Sequence, residues 1–166
     1  MKNCKSFYLW VEDRYGTKFF SKLLERIESE LKVAIPERYP EGKFIKIKSS
    51  KGVGPIETKI DKVVALAWKR YDCVIIVCDG DRKREERSKR LNKKISEIKE
   101  RAENENKGIF IIVFERAIES DWIEKGTCEE IDYKLKAELP GYANKLDLNR
   151  LKKDANFREF IYAVDP

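Results

Sequence analysis

The apolar positions of this chain follow two alternating spacings, which predict strands and helices in turn. Four short runs of branched and aromatic residues are typical of strands: 6–11, 43–48, 73–78 and 109–114. Between them, apolar residues recur every three or four positions, as in helices: about 19–31, 56–68 and 84–105. Strands alternating with helices predict a Rossmann-like, doubly wound α/β fold, with a mainly parallel sheet of about four strands and helices on both faces.

Beyond Glu115 the pattern weakens, and only short helices are expected: around 119–124, 127–137 and 147–162. Pro140-Gly141 is expected to separate the last two. The chain shows no internal repeat and no flexible linker long enough to divide it. We therefore predict a single domain, with a core over about 6–115 and a C-terminal helical extension over about 116–166.

Composition narrows the chemistry that is possible. The chain contains no histidine, which excludes Ser-His and Cys-His catalytic pairs and the usual nitrogen ligands of metals. Acid–base or metal chemistry must then use carboxylates, lysines, tyrosines or thiols. The four cysteines show no C-x-x-C spacing, so neither a zinc site nor a disulfide framework is expected; they are Cys4, Cys73, Cys78 and Cys128. The two that lie in the 73–78 strand are expected to act as small apolar residues.

The start of the chain shows no signal segment, and its apolar runs are too short to span a membrane. We therefore expect a soluble, cytoplasmic protein that does not associate with membranes. The absence of glutamine and the abundance of Lys, Glu and Ile suggest a thermophilic source.

The sequence Asp79-Gly80-Asp81 directly follows the apolar 73–78 run. Side chains at i and i+2 of a strand lie on the same face, so the two carboxylates can converge on one point. The glycine lets the backbone turn sharply and approach a ligand closely. Two such carboxylates suit Mg²⁺ or Mn²⁺, which prefer oxygen ligands. The alternative is that Asp79 caps the next helix and Asp81 lies in a turn.

The first predicted strand also ends in acidic residues, Glu12 and Asp13. Because the carboxyl ends of parallel strands meet at one edge of a sheet, Glu12 is expected to project toward the same crevice as Asp79. The alternative is that both acids interact with the dipole of the following helix, which we favour for Asp13.

These two motifs resemble those of the Toprim domain, found in topoisomerases, primases, recombination proteins and OLD-type nucleases. The segment 11–20, VEDRYGTKFF, is similar to the first family motif, and 74–81, VIIVCDGD, to the second. The resemblance covers about 7–114. It implies that Glu12 acts as general acid or base and that Asp79 and Asp81 hold Mg²⁺. The chain departs from the family at Asp13, where glycine usually follows the glutamate.

A third group of acids follows the fourth predicted strand. Glu115 occupies the position that Glu12 and Asp79 occupy on their strands, and we assign it to the metal site. Glu119 and Asp121 come shortly after, and Glu119-Ser120-Asp121-Trp122 is similar to an acid-then-Trp segment of small stand-alone Toprim-like proteins. Which of the three acids completes the site stays open, and Glu115 could instead be an ordinary acid at a helix N-terminus. Trp122 is expected in the core.

The segment 82–101 carries ten Lys or Arg against four Glu, an excess equal to the whole formal net charge of +6. Five of these cations lie nearest the acidic motif and are predicted to contact nucleic-acid phosphates: Arg82, Lys83, Arg84, Arg87 and Arg90. The alternative is an ordinary solvated helix face. Lys46, Lys48 and Lys51 could add backbone contacts.

The leading hypothesis is a Mg²⁺- or Mn²⁺-dependent enzyme that acts on phosphodiesters of DNA or RNA, most simply a nuclease. The second is a non-catalytic nucleic-acid-binding or regulatory module that works with a partner protein. The third is a phosphotransfer domain in which Asp79 accepts the phosphoryl group. A lysine at the end of a later strand would support it, but Lys107 precedes the fourth strand.

Overall fold

The computed structural model describes residues 4–102, 106–131 and 136–165. Its centre is a sheet of four parallel strands in the spatial order β2-β1-β3-β4. The strands are β1 (Phe7–Val11), β2 (Ile45–Ser49), β3 (Cys73–Cys78) and β4 (Gly108–Val113). All four lie within two residues of their predicted positions. The structure thus confirms the predicted α/β class, with a parallel sheet of four strands.

Three long helices alternate with the strands: α1 (Gly16–Leu31), α2 (Val53–Ala67) and α3 (Arg84–Arg101). The prediction started α2 at about residue 56, after the Gly-Val-Gly-Pro segment. In the structure Pro55 lies in the first turn of α2, where the amide hydrogen that proline lacks has no helical partner to lose. The predicted end of α3 at residue 105 lies outside the described residues.

After β4 the chain forms a π-helix (Glu119–Glu124) that continues into α4 (Lys125–Thr127). A 3₁₀ turn (Lys136–Glu138) leads into the one-turn helix α5 (Leu139–Tyr142). Part of the helix predicted over 127–137 therefore lies outside the described residues, and its described beginning at 128–131 is not helical. Pro140-Gly141 does not separate helices, because both residues lie inside α5.

The helix predicted over 147–162 is two helices, α6 (Leu148–Leu151) and α7 (Ala155–Val164). Each begins at an aspartate whose side chain accepts a backbone N–H of the first turn. Asp147 accepts from Arg150, and Asp154 accepts from Phe157. Two N-caps seven residues apart impose two helix starts, which the apolar spacing alone does not reveal.

Side chains alternate across the sheet, so each face has its own core. On one face α1, α5, α6, α7 and the π-helix cover Leu9, Ile75 and Ile112. On the other face α2 and α3 cover Trp10, Val74 and Ile76. This arrangement gives the predicted helices on both faces. Trp122, predicted in the core, is fully buried, and its ring packs edge-on against Phe114 and Phe157.

Cys4 and Cys73 form a disulfide, with Cα atoms 5.4 Å apart. The expectation that Cys73 acts only as a small apolar residue is wrong, because the residues before β1 bring Cys4 beside the start of β3. Cys78, buried, and Cys128, exposed, are free thiols. None of the described helices is long and apolar enough to cross a membrane.

Candidate active site

The strand order places the first two predicted site residues side by side. From β1 the chain crosses to β2 on one side, while β3 and β4 lie on the other, so the topological switch point falls between β1 and β3. Ligands of open α/β sheets bind at this crevice, outside the carboxyl ends of the strands. Glu12 and Asp79 are the first residues after β1 and β3. One carboxylate from each neighbouring strand therefore lies at this crevice.

Glu12 and Asp79 are joined by a hydrogen bond. The backbone N–H of Asp79 donates to Glu12 Oε2 at 2.7 Å, and the N–H of Glu12 donates to the carbonyl of Val77 at 3.1 Å. Partial burial raises the pKa of the Glu12 carboxyl above its ordinary value, although the bond from Asp79 N–H opposes the rise. A raised pKa lets the Glu12 carboxyl hold a proton more readily than an ordinary glutamate does, which suits a general acid or base.

Asp79 has the more perturbed carboxyl of the two. Burial is the largest cause, followed by the negative charges of Glu12 and Glu119, and together they raise its pKa from 3.8 to about 8. The N–H of Ile118 donates to Asp79 Oδ1 at 3.2 Å and opposes this rise. An acid with this pKa keeps its proton at neutral pH unless a cation approaches it.

Glu119 is the third carboxylate of the cluster, and it comes from the π-helix. Its side chain is only 4% exposed, and its Oε2 is buried without a hydrogen-bond partner among the described residues. Burial raises its pKa. A buried carboxylate oxygen without a partner is costly, and such atoms in native proteins often mark a place for an ion, water or ligand.

Lys136 supplies the positive charge nearest this cluster. Its Nζ lies 3.4 Å from Asp13 Oδ2 and 4.0 Å from Glu119 Oε1. These acids raise the pKa of the Lys136 ammonium against the opposing effect of its partial burial. Sequence reasoning missed Lys136 because it lies in the weakly patterned C-terminal region, far along the chain from the other site residues.

Asp13 and Gly80 have local structural roles. The side chain of Asp13 accepts the N–H of Tyr15 at 2.7 Å just before α1, and its φ is not positive, so no glycine is needed after Glu12. Gly80 packs against the loop after β4, where an added Cβ would lie 2.0 Å from the carbonyl oxygen of Phe114. The close approach that Gly80 allows is therefore to the protein's own backbone.

Asp81 does not lie on the same face as Asp79 in the way its i+2 position predicts. The backbone leaves the extended conformation after β3, since Asp81 and Arg82 both have positive φ, 49° and 64°. The Asp81 side chain is 62% exposed and forms an ion pair with Arg87 at 3.3 Å. It still lies close enough to Glu12 for its charge to raise the pKa of that carboxyl.

The two other acids after β4 point to different roles. Glu115 is 65% exposed and faces Arg84 at 4.0 Å, whereas the charge that acts on Asp79 from this region belongs to Glu119. Asp121 is buried and accepts the N–H of Arg116 at 3.2 Å, which fixes the turn before the π-helix. Of the three acids that the sequence left open, Glu119 is thus the one the structure groups with Asp79.

Three of the five predicted nucleic-acid contacts are already engaged within the protein. Arg87 is buried and contacts Asp81, Glu57 and the carbonyl of Asp79. Arg90 pairs with Glu57 at 2.9 Å and with Glu86 at 2.6 Å. Arg84 donates to Asn156 Oδ1 at 3.1 Å and faces Glu115. Arg82 and Lys83 are exposed beside the site, before α3 begins.

The donor atoms of the cluster are carboxylate oxygens, which hard divalent cations prefer, and one of them is buried without a partner among the described residues. Across the described ranges, however, no three acidic or cysteine side chains are arranged closely enough to form a ready-made metal centre. A cation held here by three of these side chains would therefore require the side chains to rearrange. Lys107 lies at the amino ends of the strands, away from the candidate site, where it donates to the carbonyl of Tyr71 at 2.9 Å.

No family model and no curated protein sequence matches this chain. Among solved structures, the chain is similar to the C-terminal region of the Burkholderia pseudomallei OLD protein, with a TM-score of 0.46 and 14% sequence identity. The similarity covers 98% of this chain and 87% of that one. A TM-score this low has no weight for fold or function, which rest on the geometry described above.

Proposed function

We propose that this protein is a Toprim-like, Mg²⁺- or Mn²⁺-dependent enzyme that hydrolyses phosphodiester bonds of nucleic acids. The observation that carries the proposal is the cluster of Glu12, Asp79 and Glu119 at the switch point of the sheet. The pKa of each of these three carboxyl groups is raised, and one of them has a buried oxygen without a partner among the described residues. Ionisation of all three would be favoured only with a cation among them to balance their charges.

Asp79 and Glu119 would hold the cation, with Asp81 able to join if it leaves Arg87. A bound divalent ion supplies charge stabilisation for a phosphodiester and a more acidic water. Glu12 is held against the backbone of Asp79 and is positioned to take or give the proton. Arg82 and Lys83, exposed beside the cluster, would contact the phosphates.

A second function is favoured by the ion pair of Asp81 with Arg87 and by the absence of a ready-made metal centre among the described residues. In this alternative the protein is a nucleic-acid-binding or regulatory module that acts with a partner protein.

Cleavage of labelled single- and double-stranded DNA and RNA with Mg²⁺ or Mn²⁺ separates the two. We expect wild-type protein to cut and the Glu12→Gln, Asp79→Asn and Glu119→Gln variants to lose at least 100-fold in rate, since each removes either a carboxylate that would hold the cation or the carboxyl that would transfer the proton. The matched control is Glu115→Gln, an exposed acid, which should keep its activity.

Cutting that survives in Asp79→Asn would exclude the proposed site. Absence of cutting by folded wild-type protein on every substrate would favour the non-catalytic module.

A further inference from the structure

Among the described residues, three cations on and near β2 are unpaired, unlike Arg87 and Arg90 of α3. Lys46 and Lys48 on β2, and Arg70 after α2, make no side-chain hydrogen bond or ion pair within the described part of the chain. By contrast, Arg87 and Arg90 of α3 are matched by Glu57, Asp81 and Glu86. An unpaired cation can neutralise a phosphate of a nucleic acid and release the counterion bound there. A paired cation must first break its contact with a carboxylate of the protein.

These three cations line one groove of about 390 Å³ between β2 and α2. The Tyr8 ring lies in it, and Val63 and Leu66 form an apolar wall. Lys46 and Lys48 project into it from the same sheet face as Tyr8, since Tyr8 pairs with Lys46 in the register of β1 and β2. Glu41 is the acid among the lining residues.

The lining of the groove extends from Arg70 and Tyr71, just before β3, to Lys48, near the carboxyl end of β2. β2 pairs with β1 and is the outer strand of the sheet. Lys46 and Lys48 are two residues apart, about 7 Å along a strand, and Lys48 is nearer the carboxyl end. At the end of β2 and just beyond it, Ser49 Oγ and the N–H of Gly52 both donate to the carbonyl of Glu12, at 3.2 and 3.1 Å. Lys48, which pairs with Trp10 in the register of β1 and β2, is thus the groove cation nearest in register to Glu12.

We propose that this groove binds a single strand of nucleic acid, with phosphates on Lys46, Lys48 and Arg70 and a base against Tyr8. A basic groove that tracks the backbone, combined with an aromatic ring for a base, is how proteins bind single strands without reading sequence. That the bound nucleic acid continues toward Glu12 rests on the proposed function, because only an enzyme would need the groove to deliver a substrate to that residue. The binding itself does not depend on catalysis.

The test is fluorescence anisotropy with a labelled 15-nucleotide single strand, in EDTA, over a range of salt. The groove variant is Lys46→Ala/Lys48→Ala/Arg70→Ala. The matched control, with the same loss of charge on α3, is the variant with alanine at three exposed lysines: Lys89, Lys93 and Lys99. The groove variant should bind at least tenfold more weakly, with its salt slope lower by about 2, since each phosphate contact contributes about 0.7. The control should change less than threefold.

Equal weakening in both variants, preference of the wild type for duplex, or no single-strand binding by the wild type would each overturn the groove. Tyr8→Leu should weaken binding several-fold without changing the salt slope, because stacking releases no counterions. Cleavage assays separate this result from the proposed function. If the wild type does not cut but its binding depends on the groove residues, the groove proposal holds and the proposed function fails. If the wild type cuts and the groove variant binds as tightly as the wild type, only the groove proposal fails.

Discussion

Replacing Asp79 by asparagine is expected to stabilise the metal-free protein, although the residue lies in the candidate active site. Burial and the negative charges of Glu12 and Glu119 raise the pKa of Asp79 from 3.8 to about 8. The folded protein therefore keeps this proton up to about pH 8, while the unfolded chain releases it near pH 4. Between these values the folded state binds more protons, so the free energy of unfolding must fall as the pH rises.

The magnitude follows from the width of this pH window. Between pH 3.8 and pH 7 the Asp79 carboxyl lowers the free energy of unfolding by about 1.4 kcal/mol per pH unit. The total is about 4 kcal/mol as an upper limit. Asparagine does not titrate, and its side-chain oxygen can still accept the N–H of Ile118. We therefore expect Asp79→Asn to raise the free energy of unfolding by about 2–4 kcal/mol at pH 7 and by little at pH 4.

Urea unfolding in EDTA at pH 4, 5.5, 7 and 8.5 measures this difference. The matched control is Asp61→Asn, an exposed carboxyl on α2 that should change stability by less than about 0.5 kcal/mol. Mg²⁺ should then stabilise wild-type protein but not Asp79→Asn, because only the ionised carboxylate gains from the cation. If Asp79→Asn proves less stable than wild type at pH 7 in EDTA, or if the two pH profiles run parallel, the reasoning from burial and neighbouring negative charge fails.

Two further predictions concern the frame around the site. Gly80→Ala should lower the free energy of unfolding by about 1–3 kcal/mol or more in urea titration, because its Cβ would overlap the Phe114 carbonyl; Gly54→Ala, which has open space around its Cβ position, should cost less than about 1 kcal/mol. Thiol titration of unfolded protein prepared without reductant should find two free thiols of four, rising to four after reduction of Cys4–Cys73; four thiols before reduction would disprove the disulfide.

The sheet and its acidic edge could be predicted because the pattern that encodes them is local. Each strand is a short apolar run, and both Glu12 and Asp79 directly follow such a run. What no single run contains is the order of the strands in space. The order β2-β1-β3-β4 makes these two residues neighbours, and it depends on pairings between strands that are far apart along the chain.

The rest of the cluster depends on backbone geometry and distant contacts. The i, i+2 rule for Asp79 and Asp81 holds only in extended chain, and the left-handed conformations at Asp81 and Arg82 end it. Glu119 turns inward because it belongs to a π-helix packed into the core. Lys136 has no signal in the sequence, since its partners lie far away along the chain.

Asp81 and Glu119 differ in the contacts that each would lose on binding a cation. Moving Asp81 away from Arg87 would deprive a guanidinium that is only 9% exposed of one of its two carboxylates. Removing one partner of a fully buried pair costs about 3–5 kcal/mol, and this pair would cost less, since Asp81 is exposed and Glu57 remains. Glu119 Oε2 would bind a cation without this cost, because this buried atom has no hydrogen-bond partner to lose among the described residues. A cation held by Asp79 and Glu119 would therefore give the buried Glu119 Oε2 a partner. The Asp81–Arg87 ion pair could then stay intact and hold the loop after β3 in place.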